Sequence, residues 1–141
     1  MAQIKIISDA DGLIALFNPN DIHSNKATLI IEQIRQINAQ ILYPSTALVE
    51  AATTLQRKFN QPKISQIIIN AIEKDKFNII PIDAQILITA GKLYKPTQTS
   101  KKHTFFDAIV AAIAKKSKAD YIFSFDKWYT KQGLKLTAEL L

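Results

Sequence analysis

FFDAIVAAIAKKSKADYIFSFD, residues 105–126, holds one complete unit of an α/β fold. Phe105 to Lys116 is apolar almost all round and carries its two lysines at the end, where the negative pole of a helix favours them. A helix is predicted there. Tyr121 to Phe125 (YIFSF) is a short aromatic and β-branched run, which predicts a buried strand. The strand ends in Asp126. Asp107 is the only ionisable group inside FFDAIVAAIA, and a carboxylate on a helix this apolar needs partners or its pKa rises.

The same alternation runs through the rest of the chain. Strands are predicted at residues 4–8 (IKIIS), Gln40 to Tyr43 and Phe77 to Ile80, with a last one at Leu134 to Leu136. Helices are predicted from Leu13 to Phe17, His23 to Asn38, Pro44-Ser45 to about Lys58, Lys63 to Glu73 and Asp83 to Tyr94. Asp126 to Gln132 reads as a turn or short helix, and KPTQTSKKH at 95–103 is the one long polar loop. Strands alternating with helices predict an α/β domain, with a mostly parallel sheet of four or five strands covered by helices on both faces. No repeat or boundary divides it, so residues 1–141 are expected to form a single domain.

In such sheets ligands collect beyond the carboxyl ends of the strands. Asp9 follows IKIIS and Asp126 follows YIFSF, so parallel strands bring both to one rim. Glu50 reads differently. On a helical wheel Leu48, Ala51, Ala52, Leu55 and Phe59 share a face, and Glu50 lies opposite as an exposed acid.

The chain has a formal net charge of +6, which favours a polyanionic partner such as nucleic acid or an anionic membrane. The charge is uneven, with ten lysines against three acids between Lys92 and Lys135. Cysteine is absent, which removes disulfides, thiolate zinc sites and a cysteine nucleophile. No run approaches the roughly 20 apolar residues of a membrane helix. No basic-then-apolar leader opens the chain, so a cytoplasmic protein without membrane attachment is expected.

Taken together these segments resemble the PIN-domain family of metal-dependent ribonucleases, and specifically the small VapC-type toxins, over essentially the whole chain. SDADGLIALFNPNDIHSNKA is similar to the family's opening and places Asp9 on its first acid. YPSTALVEAATTL places Glu50 on the second, and FFDAIVAA places Asp107 on the third. FSFD places Ser124 and Asp126 on the hydroxyl and acid that close the site, and DKWY resembles the usual continuation. Ala10 and Asp11 depart from the pattern, which more often has a hydroxyl residue at the first and Ser or Asn at the second.

The resemblance implies an endoribonuclease using Mg²⁺ or Mn²⁺. Asp9, Asp107 and Asp126 would hold the metal, Glu50 would orient the attacking water, and Ser124 would supply an orienting hydrogen bond. Four carboxylates with no cysteine suit a hard cation with oxygen ligands. Lys101, Lys102 and Lys127 are the expected RNA contacts nearest the site. A small antitoxin and a homodimer are the implied protein partners, with the isoleucine-rich early helices as one source of the dimer surface. His23 and His103 have no metal-ligand partner at helical spacing, and Trp128 and Tyr129 are expected to pack the final turn.

Three alternatives stay open on the sequence. A protein of this fold can bind RNA without cutting it. An RNA-maturation nuclease would share the same chemistry. DADG also resembles the Asp-x-Asp-Gly-Thr motif of haloacid-dehalogenase-type phosphatases, with Asp9 as nucleophile and Asp11 as acid. There Leu13 replaces the threonine, and SFDKWYTK supplies only one later acid.

Overall fold

Four short apolar runs pair side by side in the computed structural model, which describes residues 2–141. β1 (Lys5–Ser8), β2 (Gln40–Pro44), β3 (Ile79–Ile80) and β4 (Tyr121–Phe123) form one all-parallel sheet in the order β3-β2-β1-β4. Ile7 pairs with Leu42 on one side and Ile122 on the other, which keeps the in/out parity of the side chains common to the three strands. The chain builds outward from β1 through β2 to β3, then returns to lay β4 on the opposite edge of β1. The winding therefore reverses between β1 and β4. That switch point, at the carboxyl ends of the strands, is where such sheets open a crevice for ligands.

Parallel strands need long crossovers, and pairs of helices supply them. α1 (Ala10–Phe17) and α2 (Ser24–Gln36) join β1 to β2. α3 (Ser45–Arg57) and α4 (Pro62–Glu73) join β2 to β3, and α5 (Ala84–Leu93) and α6 (Phe105–Ser117) join β3 to β4. α7 (Trp128–Lys131) and a 3₁₀ turn (Thr137–Leu140) follow. Ile7 and Ile122 point to one face, against Ile86 and Ala90 of α5 and the continuous buried run Ala108 to Ala114 of α6. Ile6 and Phe123 point to the other, against Ala15, Ala27, Ile30 and Ile34. A third cluster of Leu13, Leu48, Leu55, Ile68 and Phe77 packs α1, α3 and α4 together. Both faces are covered, as expected of a parallel sheet.

β3 is shorter than the expected Phe77 to Ile80, and α1, β4 and the last strand also depart from the sequence expectation. α1 begins at Ala10 and not at Leu13, because Asp9 caps it and Gly12 lets its first turn lie directly on β4. A Cβ on Gly12 would sit 2.4 Å from the carbonyl oxygen of Phe123. β4 stops at Phe123, short of Phe125, because side chains capture the next backbone donors: Asp11 accepts from Phe125 N–H and Ser124 from Asp126 N–H. The expected strand at Leu134 to Leu136 shrinks to a single parallel bridge between Ile122 and Leu136, since the chain enters the 3₁₀ turn at Thr137. Among the described residues no helix is long and apolar enough to cross a membrane.

Candidate active site

Asp9 occupies the end of β1 and the start of α1 at once. Its Oδ1 accepts from Ala10 N–H at 2.7 Å, which satisfies one of the orphan donors of the helix start. Its Oδ2 accepts from the hydroxyl of Tyr129 at 2.6 Å. Both side chains are buried, Asp9 at 3% exposure and Tyr129 at 0%. Burial pushes the Asp9 carboxyl well above its ordinary value, the neighbouring charges of Asp11 and Asp107 push it further, and the Tyr129 hydrogen bond pulls the other way.

Asp11, one turn-start further on, faces the end of β4. Its Oδ1 accepts from Gly12 N–H at 2.9 Å, and its Oδ2 accepts from Ser124 Oγ at 2.9 Å and Phe125 N–H at 2.8 Å. Ser124 Oγ in turn accepts from Asp126 N–H at 3.0 Å, and Asp126 Oδ1 accepts from Trp128 N–H at 2.9 Å. Asp11 thereby ties α1 to the loop that presents Asp126. Burial raises its carboxyl to about 6, against the lowering effect of these donors.

Two more acids come from helices that cross the rim. Asp107 sits in the first turn of α6, where its Oδ2 accepts from Thr104 N–H at 2.9 Å. Burial raises its pKa, partly offset by that hydrogen bond. Glu50 lies on α3, half-buried and not exposed as the helical wheel suggested. The wheel correctly turns it away from the apolar cluster, but that direction leads into a cleft and not to bulk water. Burial pushes it up to about 7, with the charges of Asp107 and Asp11 adding to the shift.

Asp9, Asp11, Glu50, Asp107 and Asp126 line one cleft of about 290 Å³, with Lys58 and Lys102 on its walls. A larger hollow of about 450 Å³ lies beside α7, lined mostly by apolar groups with Lys127, Lys131 and Lys135, and it contains none of these acids. The chemistry selects the smaller cleft. Ser124 is fully buried beneath it and reaches it only through Asp11 and the Asp126 backbone. Lys101 is exposed and Lys127 lies in the other hollow, so of the three expected RNA contacts only Lys102 faces the acids.

The donor set suits a divalent cation in kind: five carboxylates in one cleft, and among the described residues a single basic side chain within 4 Å of any of their oxygens. It is His103, whose Nε2 lies 3.4 Å from Asp126. Its ring also stacks on Trp128, with centroids 5.3 Å apart. Among the described residues no three acid or histidine groups converge on one point as placed. Asp9, Asp107 and Asp126 each accept hydrogen bonds from N–H or O–H donors.

Four participants escaped the sequence expectation. On the sequence Asp11 has a role only in the phosphatase alternative, although it stands two residues after Asp9. Tyr129 does pack the final turn, and it also holds Asp9. Lys58 and His103 give no local signal, because the acids they stand near come from other segments: Lys58 lines the cleft that holds them, and His103 meets Asp126.

The sequence model of the PIN domain family matches residues 6–132. No curated protein matches the chain significantly. Among solved structures, VapC20 of Mycobacterium tuberculosis, described as a sarcin–ricin loop cleaving toxin, superposes with a TM-score of 0.76 at 18% identity, covering 92% of this chain and 95% of that one. VapBC2 of Rickettsia felis, bound to a fragment of promoter DNA, gives 0.65 at 17% identity over 94% and 97%. VapBC of Salmonella typhimurium, also bound to DNA, gives 0.64 at 14% over 95% and 97%. At these identities the likeness is one of fold. The family match runs from β1 to the residue after α7 and takes in all five acids of the cleft, and this chain belongs to the PIN-domain family.

Proposed function

We propose that this chain is a metal-dependent endoribonuclease and the toxin of a VapBC-type toxin–antitoxin pair. The observation that carries the reading is the convergence of five carboxylates, from four separate elements, on one cleft at the sheet's switch point. Burial first, and neighbouring like charges second, raise Asp9 and Glu50, which supports a counter-charge at this site.

In this reading Asp9, Asp107 and Asp126 hold Mg²⁺ or Mn²⁺. The ion, when bound, supplies activation of water and neutralisation of the scissile phosphate. The protein's own side chains do the remaining work. Tyr129 fixes the orientation of Asp9, while Asp11 and Ser124 fix the loop that presents Asp126. Glu50 orients the attacking water and accepts its proton at a carboxylate oxygen.

Lys58 and Lys102, with Lys101 and Lys127 further out, draw in the RNA backbone. Contacts of this kind position a strand without reading its sequence. Among the described residues no lysine or arginine side chain pairs with a carboxylate within 4 Å, so the cations are left to a polyanion.

The match of residues 6–132 to the PIN-domain model counts against the phosphatase alternative. Two of the solved relatives are toxin–antitoxin assemblies, which supports an antitoxin partner here. A homodimer has apolar surface to draw on. Ile30, Ile34 and Ile68 are spent in the core, but Leu29, Ile67 and Ile69 of the same helices face outward. In this reading the protein acts on cytoplasmic RNA.

The test is incubation of structured and unstructured RNAs with Mn²⁺ or Mg²⁺, and again with EDTA. Metal-dependent cutting is expected. A folded protein that neither binds Mn²⁺ nor cuts would favour an RNA-binding module.

A further inference from the structure

Beside the acid cleft lies a second hollow, of about 240 Å³, lined by Val49, Glu50, Thr53, Thr54 and Phe106. It shares Glu50 and Thr54 with the acid cleft, so the two are continuous. Its walls are mainly apolar, and two are unusually bare: Val49 is 62% exposed and Phe106 42%. Phe105, the neighbour of Phe106, is stacked on Tyr94 with centroids 5.9 Å apart. Phe106 has no aromatic partner among the described residues. It therefore presents a free ring immediately before Asp107, at the mouth of a carboxylate site.

We propose that this hollow is a nucleobase subsite, in which the unpaired base next to the scissile phosphate stacks on Phe106 and is flanked by Val49 and the Thr53 and Thr54 side chains. The inference rests on the nuclease reading above. Its volume falls below the roughly 300–1,000 Å³ of pockets that enclose a drug-sized ligand, which suits one ring system more than a whole nucleotide. A π-face is the natural occupant of a bare aromatic wall, and stacking of this kind tolerates any base. Lys58 and Lys102, on the walls of the adjoining cleft, are placed to hold the phosphates that such a base would bring with it. The hollow would thus orient the strand and give preference to single-stranded RNA, since a paired base cannot leave its stack without cost.

The experiment compares wild type, Phe106→Ala and Phe106→Trp, in Mn²⁺, on an unstructured RNA and on the same RNA with one flanking base removed to leave an abasic ribose. The alanine variant is expected to lose roughly 5- to 150-fold in kcat/KM on the intact RNA, the range that stacking of one base supplies. Phe106→Trp should restore most of that loss. On the abasic RNA, wild type should fall to the level of the alanine variant, and the alanine variant should fall no further. Thermal melts and Mn²⁺ titration of each variant confirm that fold and metal site are retained. An alanine variant that cuts intact RNA as well as wild type, or one weakened only in self-association by gel filtration, overturns the subsite and leaves the nuclease standing. Failure of wild type to cut any RNA overturns the nuclease reading, and the subsite with it.

Discussion

Tyr129 donates the short hydrogen bond that fixes Asp9, and it does so from a fully buried position on α7. Groups that orient metal ligands typically carry about 10- to 100-fold of metal affinity. Tyr129→Phe keeps the ring and removes only the donor, so Mn²⁺ binding should weaken by roughly that factor, with the fold intact. Calorimetric titration checks it, and unchanged affinity would reduce Tyr129 to packing. Residues of this kind mark the limit of sequence reading. Asp9, Asp107 and Asp126 are legible because each breaks or ends an apolar pattern. Glu50 is legible only by resemblance, since helical spacing tells which way a side chain points and not what stands opposite. Tyr129, 120 residues from its partner, is legible by neither route.

Among the elements, α1 carries the tightest constraint. Its first turn presses on the carboxyl end of β4 through Gly12, where an added methyl would overlap a backbone oxygen that cannot swing away. Gly12→Ala should therefore destabilise the protein by about 1–3 kcal/mol or more, read as a shift in the urea midpoint. Gly91, in α5, is the control: nothing lies within 4 Å of its absent Cβ, so Gly91→Ala should be neutral or gain up to about 1 kcal/mol. Most elements were visible in the sequence because their apolar spacing is regular and their ends are marked, as Asp83 marks α5 and Pro62 opens α4. Most departures lie at the rim, although β3 also starts two residues later than the expected Phe77. β4 ends early because Ser124 and, from the distant α1, Asp11 take its donors, and α1 begins early because the residue before it, Asp9, caps it.

At the scale of the whole molecule, five acids in one cleft set the response to pH and salt. Glu50 at about 7 and Asp11 at about 6 hold protons that an unfolded chain releases near its ordinary value of about 4. A raised carboxyl adds its stability fully below the unfolded value and loses it as pH rises through the folded one. The metal-free protein should therefore be more stable near about pH 5 than near about pH 8, with the loss spread between. Urea melts in EDTA across this range measure it. Glu50→Gln should remove the upper part of the decline, and a flat profile would contradict the burial of Glu50 and Asp11. Lys58→Gln and Lys102→Gln should each lower the slope of log K against log salt for single-stranded RNA by about 0.7, the share of one phosphate contact. A variant whose slope is unchanged has no place in the footprint.

The most direct test of the central claim is RNA cleavage by Asp107→Asn beside wild type in Mn²⁺, with both proteins shown to be folded. Asp107 is proposed to bind the metal itself, so its loss should cost more than the roughly 10- to 100-fold of an outer partner, and Mn²⁺ binding should fall with it. Cleavage at the wild-type rate by the variant would contradict the account, because the acid cleft would then not be where the chemistry occurs.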